Sequence, residues 1–150
     1  MKISDALAHI QRLYIETAPF IYYVEYHPIY GDKMDDIFDI VNRDAIEVVT
    51  SVITLTETLT KPLKTGDKIV VQAYRTLLQQ TRYITPVSIN MAIAESAADL
   101  RSRYNLRTPD ALHIATALNN HADAFLTNDL TLQRVKELPI LVLDELDATP

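Results

Sequence analysis

Along this chain, short β-branched or apolar runs alternate with longer stretches of helical spacing. That alternation constrains the fold more than any other feature, because it argues for strand–helix–strand units and a mostly parallel sheet. The strand candidates are Arg12 to Glu16, Ile46 to Thr50, Tyr83 to Val87, Ala124 to Thr127 and Ile140 to Leu143. Most lack clean polar alternation, as strands covered on both faces do. Between them, Ser51 is expected to cap a helix running to about Thr60, where Pro62 discourages continuation. Gly66-Asp67 opens another helix to about Thr81. Ser88 caps a long one, with Ile89, Ala92, Ile93, Ala97 and Leu100 at three- and four-residue spacing. The sharpest boundary is Thr108-Pro109-Asp110: an N-cap residue, a proline at the first helical position, and an acid at the positive end of the helix dipole. That helix runs through Ala111-Leu112-His113-Ile114-Ala115-Thr116-Ala117-Leu118 and ends near Asn119-Asn120.

No repeat, low-complexity tract or Pro/Gly/Ser linker divides the sequence, so residues 1–150 read as a single domain. With 48% hydrophobic residues the chain can bury a real core. No apolar stretch approaches the ~20 residues of a membrane span, and the segment from Met1 to Ile10 does not read as a signal peptide. Cysteine is absent, which removes disulfides, thiolate zinc sites and a thiol nucleophile, and fits a cytoplasmic location. The net charge of −6 lacks the basic surplus of most nucleic-acid binders. Either the substrate is not a polyanion, or the acids gather in a site where cations offset them.

The only glycines are Gly31 and Gly66, so there is no glycine-rich phosphate loop, dinucleotide fingerprint or nucleophile elbow. The histidines His9, His27, His113 and His121 make no HExxH arrangement, and without cysteine a zinc site is not expected. Carboxylate chemistry remains. In a parallel sheet, ligands bind outside the carboxyl ends of the strands. Glu16 ends the first strand, Asp110 opens its helix, and Asp129 follows the fourth strand, so topology brings these three to one edge. Glu57 lies within the helix after the second strand, beside Val52, Leu55 and Leu59, and has to lean over that edge. Clustered carboxylates raise one another's proton affinity, so divalent cations are expected to sustain them. All-oxygen ligands suit Mg²⁺ or Mn²⁺.

Taken singly, each acid has an ordinary role. Asp110 serves the helix dipole, Asp129 caps a short helix from Leu130 to Val135, and Glu57 is a solvated helix residue. Glu16 is the hardest to dismiss, because Tyr14-Ile15 and Ala18-Pro19-Phe20-Ile21 surround it with apolar neighbours. His113 reads first as a packed helix histidine and second as a hydrogen-bonding neighbour of the site. Arg101, Arg103 and Arg107 approach Asp110 in sequence, where they would steer phosphates or balance a helix end. Five tyrosines (Tyr14, Tyr22, Tyr23, Tyr26, Tyr30) fall close together and are expected to pack in the core or against a partner rather than stack on bases. Asp123 is expected to serve its loop.

Four stretches carry a resemblance to a known family. They are Tyr14 through Tyr23, Thr50 through Glu57, Thr108 through Ala117, and Ala122 through Asp129, with Leu141 through Leu146 closing the chain. In combination they resemble the PIN domain in its VapC-like toxin branch. The resemblance implies a three-layer α/β/α fold with a short, mostly parallel sheet of about five strands. It also implies a metal-dependent endoribonuclease that hydrolyses RNA phosphodiesters with metal-activated water. Carried over by position, Glu16, Glu57, Asp110 and Asp129 would hold Mg²⁺ or Mn²⁺, with Thr127 and Asn128 supporting the site or touching substrate; Arg107, read from its place beside Asp110, is the further candidate for a substrate contact. A cognate antitoxin and a homodimer are the partners it implies. The family usually has Asp at the end of the first strand where this chain has Glu16, which displaces the carboxylate by about one methylene; an error of about 1 Å can cost about 100-fold in rate. The alternative is therefore a catalytically weak PIN-like domain that binds RNA or a protein without cutting.

Overall fold

The computed structural model describes residues 1–148. Five short strands build one sheet: β1 (Arg12–Ile15), β2 (Glu47–Ser51), β3 (Ile84–Val87), β4 (Ala124–Thr127) and β5 (Ile140–Val142). They lie in the order β3-β2-β1-β4-β5, and every pairing is parallel. The helices are α1 (Ile3–Ala6), α2 (Thr17–Val24), α3 (Gly31–Asp44), α4 (Ile53–Thr65), α5 (Lys68–Gln80), α6 (Met91–Tyr104) and α7 (Thr108–Asn119). Short 3₁₀ turns cover Leu130–Arg134 and Leu143–Glu145. The expected α/β architecture is the one observed.

Successive strand residues point to opposite faces, and the cores show it. Leu13, Ile15, Val48 and Leu126 join one buried cluster with Phe20, Met34, Ile37, Val41 and Leu78 from α2, α3 and α5. Tyr14, Val49 and Phe125 join a second with Ile93, Ala97, Leu100, Ile114 and Ala115 from α6 and α7. The sheet is thus covered on both sides, which is why its strands show so little polar alternation.

The boundaries depart from the sequence expectations in instructive places. Glu16 leaves the strand and becomes the N-cap of α2. Pro62 does not stop α4, which continues to Thr65. Pro62 lacks the N–H that would bond to the Thr58 carbonyl, but its ring is buried, and Gly66 at φ 75° ends the helix a few residues later in the left-handed conformation glycine allows. Asn90, not Ser88, caps α6, its side chain accepting from the backbone N–H of Ile93 at 2.9 Å. Arg107, not Thr108, is the N-cap of α7. Residues 31–44, which carry no strong start or stop signal in the sequence, form α3, with Met34, Ile37, Phe38 and Val41 as its buried stripe at helical spacing. Because β2 and β4 flank β1, the chain reverses its direction of growth between β1 and β4, and in open parallel sheets the carboxyl ends at such a switch point are where ligands bind.

Candidate active site

Register aligns Ile15 with Leu126, so the next residues, Glu16 and Thr127, meet on the face covered by α7. The Thr127 hydroxyl donates to Glu16 Oε1 at 2.7 Å and accepts from the backbone N–H of Asp129 at 2.9 Å. One buried threonine therefore ties the end of β1 to the loop after β4. Glu16 is an N-cap whose side chain makes no cap bond, because it is committed to Thr127. Burial pushes its pKa up, Thr127 and His113 oppose that, and the nearby Asp110 and Asp129 charges add to it.

Glu57 reaches the same region from the second turn of α4. Its Oε1 accepts from the Thr17 hydroxyl at 2.7 Å and lies 3.0 Å from His113 Nε2. The His113 hydrogen bond, aided by Thr17, holds the Glu57 carboxyl below its ordinary value against the opposing effect of partial burial. Asp110 sits in the first turn of α7, where Arg107 Nε donates to its Oδ2 at 3.2 Å. Asp129 caps the Leu130–Arg134 turn, its Oδ1 accepting from the backbone N–H of Thr131 at 3.0 Å and from the Thr131 hydroxyl at 2.7 Å. Arg107 lies beside Asp110 first, with Asp129 and Glu57 also close enough to stabilise its charge.

The four acids share a pattern. Each commits one oxygen to protein donors, while among the described residues Glu16 Oε2, Glu57 Oε2, Asp110 Oδ1 and Asp129 Oδ2 have no protein hydrogen bond. Among the described residues no buried side-chain polar atom lacks a partner, so the second oxygen of the largely buried Glu16 opens to solvent. The ordinary roles foreseen for Asp110 and Asp129 are real, but each uses only half of its carboxylate. Protein donors thus share with any cation the work of sustaining the cluster. Among the described residues, no three His, Asp or Glu side chains are arranged to hold a metal ion as they stand. Like charges push unliganded carboxylates apart. The donor chemistry suits a hard divalent cation.

The other expected residues separate. Arg107 faces the acids with a mostly exposed side chain. Arg101 donates to the Leu106 carbonyl, and Arg103 pairs with Asp99 and Glu137, so both hold the α6–α7 corner. Asn128 Oδ1 accepts from the backbone N–H of Asp144, fixing the loop rather than pointing among the acids. Asp123 lies at the opposite edge of the sheet, accepting from the backbone N–H groups of Gln11 and Arg12, a loop role as expected. Of the tyrosines, Tyr14 is wholly buried, Tyr22 and Tyr30 pack against each other and His27, and Tyr26 is exposed. His113 is buried and bonded to the site at once, uniting both readings of it. Unforeseen were the hydroxyls beneath Glu57: Thr17 to Thr54 at 3.1 Å and Thr54 to Thr50 at 2.9 Å. Their signal was present, since Thr54 precedes Glu57 by one helical turn and Thr17 follows Glu16 directly.

Fold and site together define a class: a three-layer α/β/α domain with an all-parallel sheet, whose switch point carries carboxylates where other such folds carry a glycine-rich phosphate loop. The PIN domain family model matches residues 8–138, and the chain belongs to that family. No curated protein matches the chain. Among solved structures the fold is similar to VapBC2 from Rickettsia felis bound to a promoter DNA fragment, with 17% identity over 87% of this chain and 98% of that one, at a TM-score of 0.68. A toxin–antitoxin complex from Klebsiella pneumoniae is similar at 19% identity, covering 87% and 97% of the two chains with a TM-score of 0.63. The sarcin-ricin loop-cleaving toxin VapC20 of Mycobacterium tuberculosis is similar at 13% identity, covering 85% and 98% with a TM-score of 0.64.

Proposed function

We propose that this PIN domain is a Mg²⁺- or Mn²⁺-dependent endoribonuclease of the toxin type, with Glu16, Glu57, Asp110 and Asp129 as its metal-binding carboxylates. The observation that carries the reading is that these four acids gather at the switch point with one oxygen tied down and one unbonded. Tied oxygens fix direction and free oxygens supply ligands. A bound divalent cation would lower the pKa of water and neutralise charge growing on a phosphodiester. Thr127 orients Glu16 and, through the Asp129 backbone, the loop carrying Asp129. Arg107 spends only Nε on Asp110, which leaves the rest of its guanidinium to meet a backbone phosphate. That offers an RNA substrate a positive contact on a chain of negative net charge. Similar folds occur in toxin–antitoxin complexes, so a cognate antitoxin is the protein partner of this reading, with a homodimer and a cytoplasmic location. Among the described residues no helix is long and apolar enough to cross a membrane.

A second reading, RNA or protein binding without cleavage, is favoured by the absence, among the described residues, of three acid or histidine side chains arranged to hold a metal ion, and by Glu16 in place of Asp. Incubation with a pool of structured RNAs and Mn²⁺, repeated with chelator, separates the two. The expected result is cleavage that chelator abolishes. Mn²⁺ binding without cleavage would select the second reading, and cleavage indifferent to chelator would remove the metal from the first.

A further inference from the structure

Beneath the acidic edge lies a buried chain of hydrogen bonds that the hydrolytic reading does not use. The Tyr14 hydroxyl lies 2.6 Å from His113 Nδ1, and His113 Nε2 lies 3.0 Å from Glu57 Oε1. Both rings are buried. Tyr14 stacks on Phe125 with centroids 5.1 Å apart and meets His113 edge-on at 5.8 Å, so neither ring turns without disturbing the core between β1 and β4.

The direction of the chain follows from donor chemistry. An ionised carboxylate only accepts, so the hydrogen between His113 and Glu57 belongs to Nε2. On a neutral imidazole this leaves Nδ1 as an acceptor, and the Tyr14 O–H fills it. On a charged imidazole, Nδ1–H donates to the phenol oxygen instead. In both cases Nε2 carries the hydrogen that holds Glu57. Burial pushes the Tyr14 pKa up, so its hydroxyl stays protonated as a partner.

We infer that His113 is a positioning residue: oriented by Tyr14, it clamps Glu57 Oε1 so that Oε2 is the oxygen offered to a divalent cation. This rests on the reading of Glu57 as a metal ligand. Hydrogen-bond partners of metal ligands are worth about 10–100-fold in metal affinity. The Thr17 hydroxyl on the same Oε1 shares the clamp, which places the His113 contribution toward the lower end of that range.

The test is calorimetric titration of the full chain with Mn²⁺ alone, without RNA, for the wild type and two buried-amide variants. His113→Gln can bring an amide N–H to the place of Nε2, whereas His113→Asn reaches only as far as Nδ1. We expect His113→Asn to weaken Mn²⁺ binding by about 10-fold or more, and His113→Gln to recover most of the loss. Nitrogen NMR of the metal-free wild type should show Nε2 protonated, with Tyr14→Phe allowing the other tautomer to appear. Equal affinities for His113→Asn and the wild type, or an unprotonated Nε2, would overturn the inference alone. A wild type that binds no Mn²⁺ would overturn it together with the metal reading.

Discussion

The two ends of the sheet both gather charged residues, yet they use them in opposite ways. At the amino-terminal end, Arg12 Nε and Nη2 both donate to Glu47 Oε2 at 2.9 and 2.7 Å, and Nη1 donates to the Asn120 carbonyl. Asp123 Oδ2 closes the neighbouring turn by accepting two backbone N–H groups. A cavity of about 420 Å³ lies there, lined by Arg12, Glu47, His121 and Asp123, but its acids already have partners within the fold. At the carboxyl end, four acids face one exposed arginine and a buried histidine, and each keeps an unbonded oxygen. The hollow and the unspent hydrogen-bonding capacity thus lie at opposite ends of the sheet, and the candidate site rests on the second. Charge satisfied within the chain stabilises a fold, whereas charge left half satisfied awaits something from outside it.

Matched substitutions at the two ends would break or sharpen this contrast. The largest effect is expected for Asp110→Asn, which should lower Mn²⁺-dependent RNA cleavage by about 100-fold or more, equivalent to about 2.7 kcal/mol of barrier, with the circular dichroism spectrum unchanged. Full activity in that variant would remove Asp110 from the site. Asp123→Ala should do the reverse. It leaves two backbone N–H groups without their acceptor, so urea melts should show a loss of about 1–2 kcal/mol, while cleavage per folded molecule stays the same.

Glu16 supplies a third test, because its charge is expensive to the fold when no cation is present. A carboxyl whose pKa is raised by folding holds its proton more tightly in the folded state, so above that raised value its ionised form destabilises the protein. In chelator, Glu16→Gln should therefore be more stable than the wild type near neutral pH. The advantage should shrink as pH falls through the raised pKa toward the ordinary carboxylate range. A variant less stable than the wild type at neutral pH would show that Thr127 and His113 outweigh the burial. The smallest effect is expected at Glu47→Gln. Its ion pair with Arg12 is exposed on both sides, so urea melts should move by less than about 1 kcal/mol.

How far the sequence discloses all this differs from element to element. The helix at Thr108-Pro109-Asp110 is local chemistry, and the structure moves its cap by only one residue. The parallel sheet follows from apolar runs that nothing but two-sided burial explains. Helix α3 is less legible in the sequence although its buried residues keep helical spacing, because Asp32, Asp35, Asp36 and Asp39 fall between them and no N-cap residue marks its start. Pro62 shows the limit of local rules: a helix breaker is tolerated near a helix end where its ring is buried and a glycine follows.

For the site the division is clearer still. Residue type and position at strand and helix ends were enough to single out Glu16, Asp110 and Asp129, because parallel topology sends such ends to one edge. Glu57 needed a family resemblance to be chosen, since nothing local separates it from a solvated helix residue. The partners of these acids come from remote segments: Thr127 for Glu16, Thr17 and His113 for Glu57. Nor does the sequence distinguish Arg107, which faces the acids, from Arg101 and Arg103, which are spent on a helix corner. The sequence by itself determined the α/β class and the strands and picked out three candidate acids, since each of those rests on periodicity and neighbours along the chain. Only the tertiary structure decided which oxygen of each acid is bound and which is free, because hydrogen bonds across a sheet join residues that the chain keeps far apart.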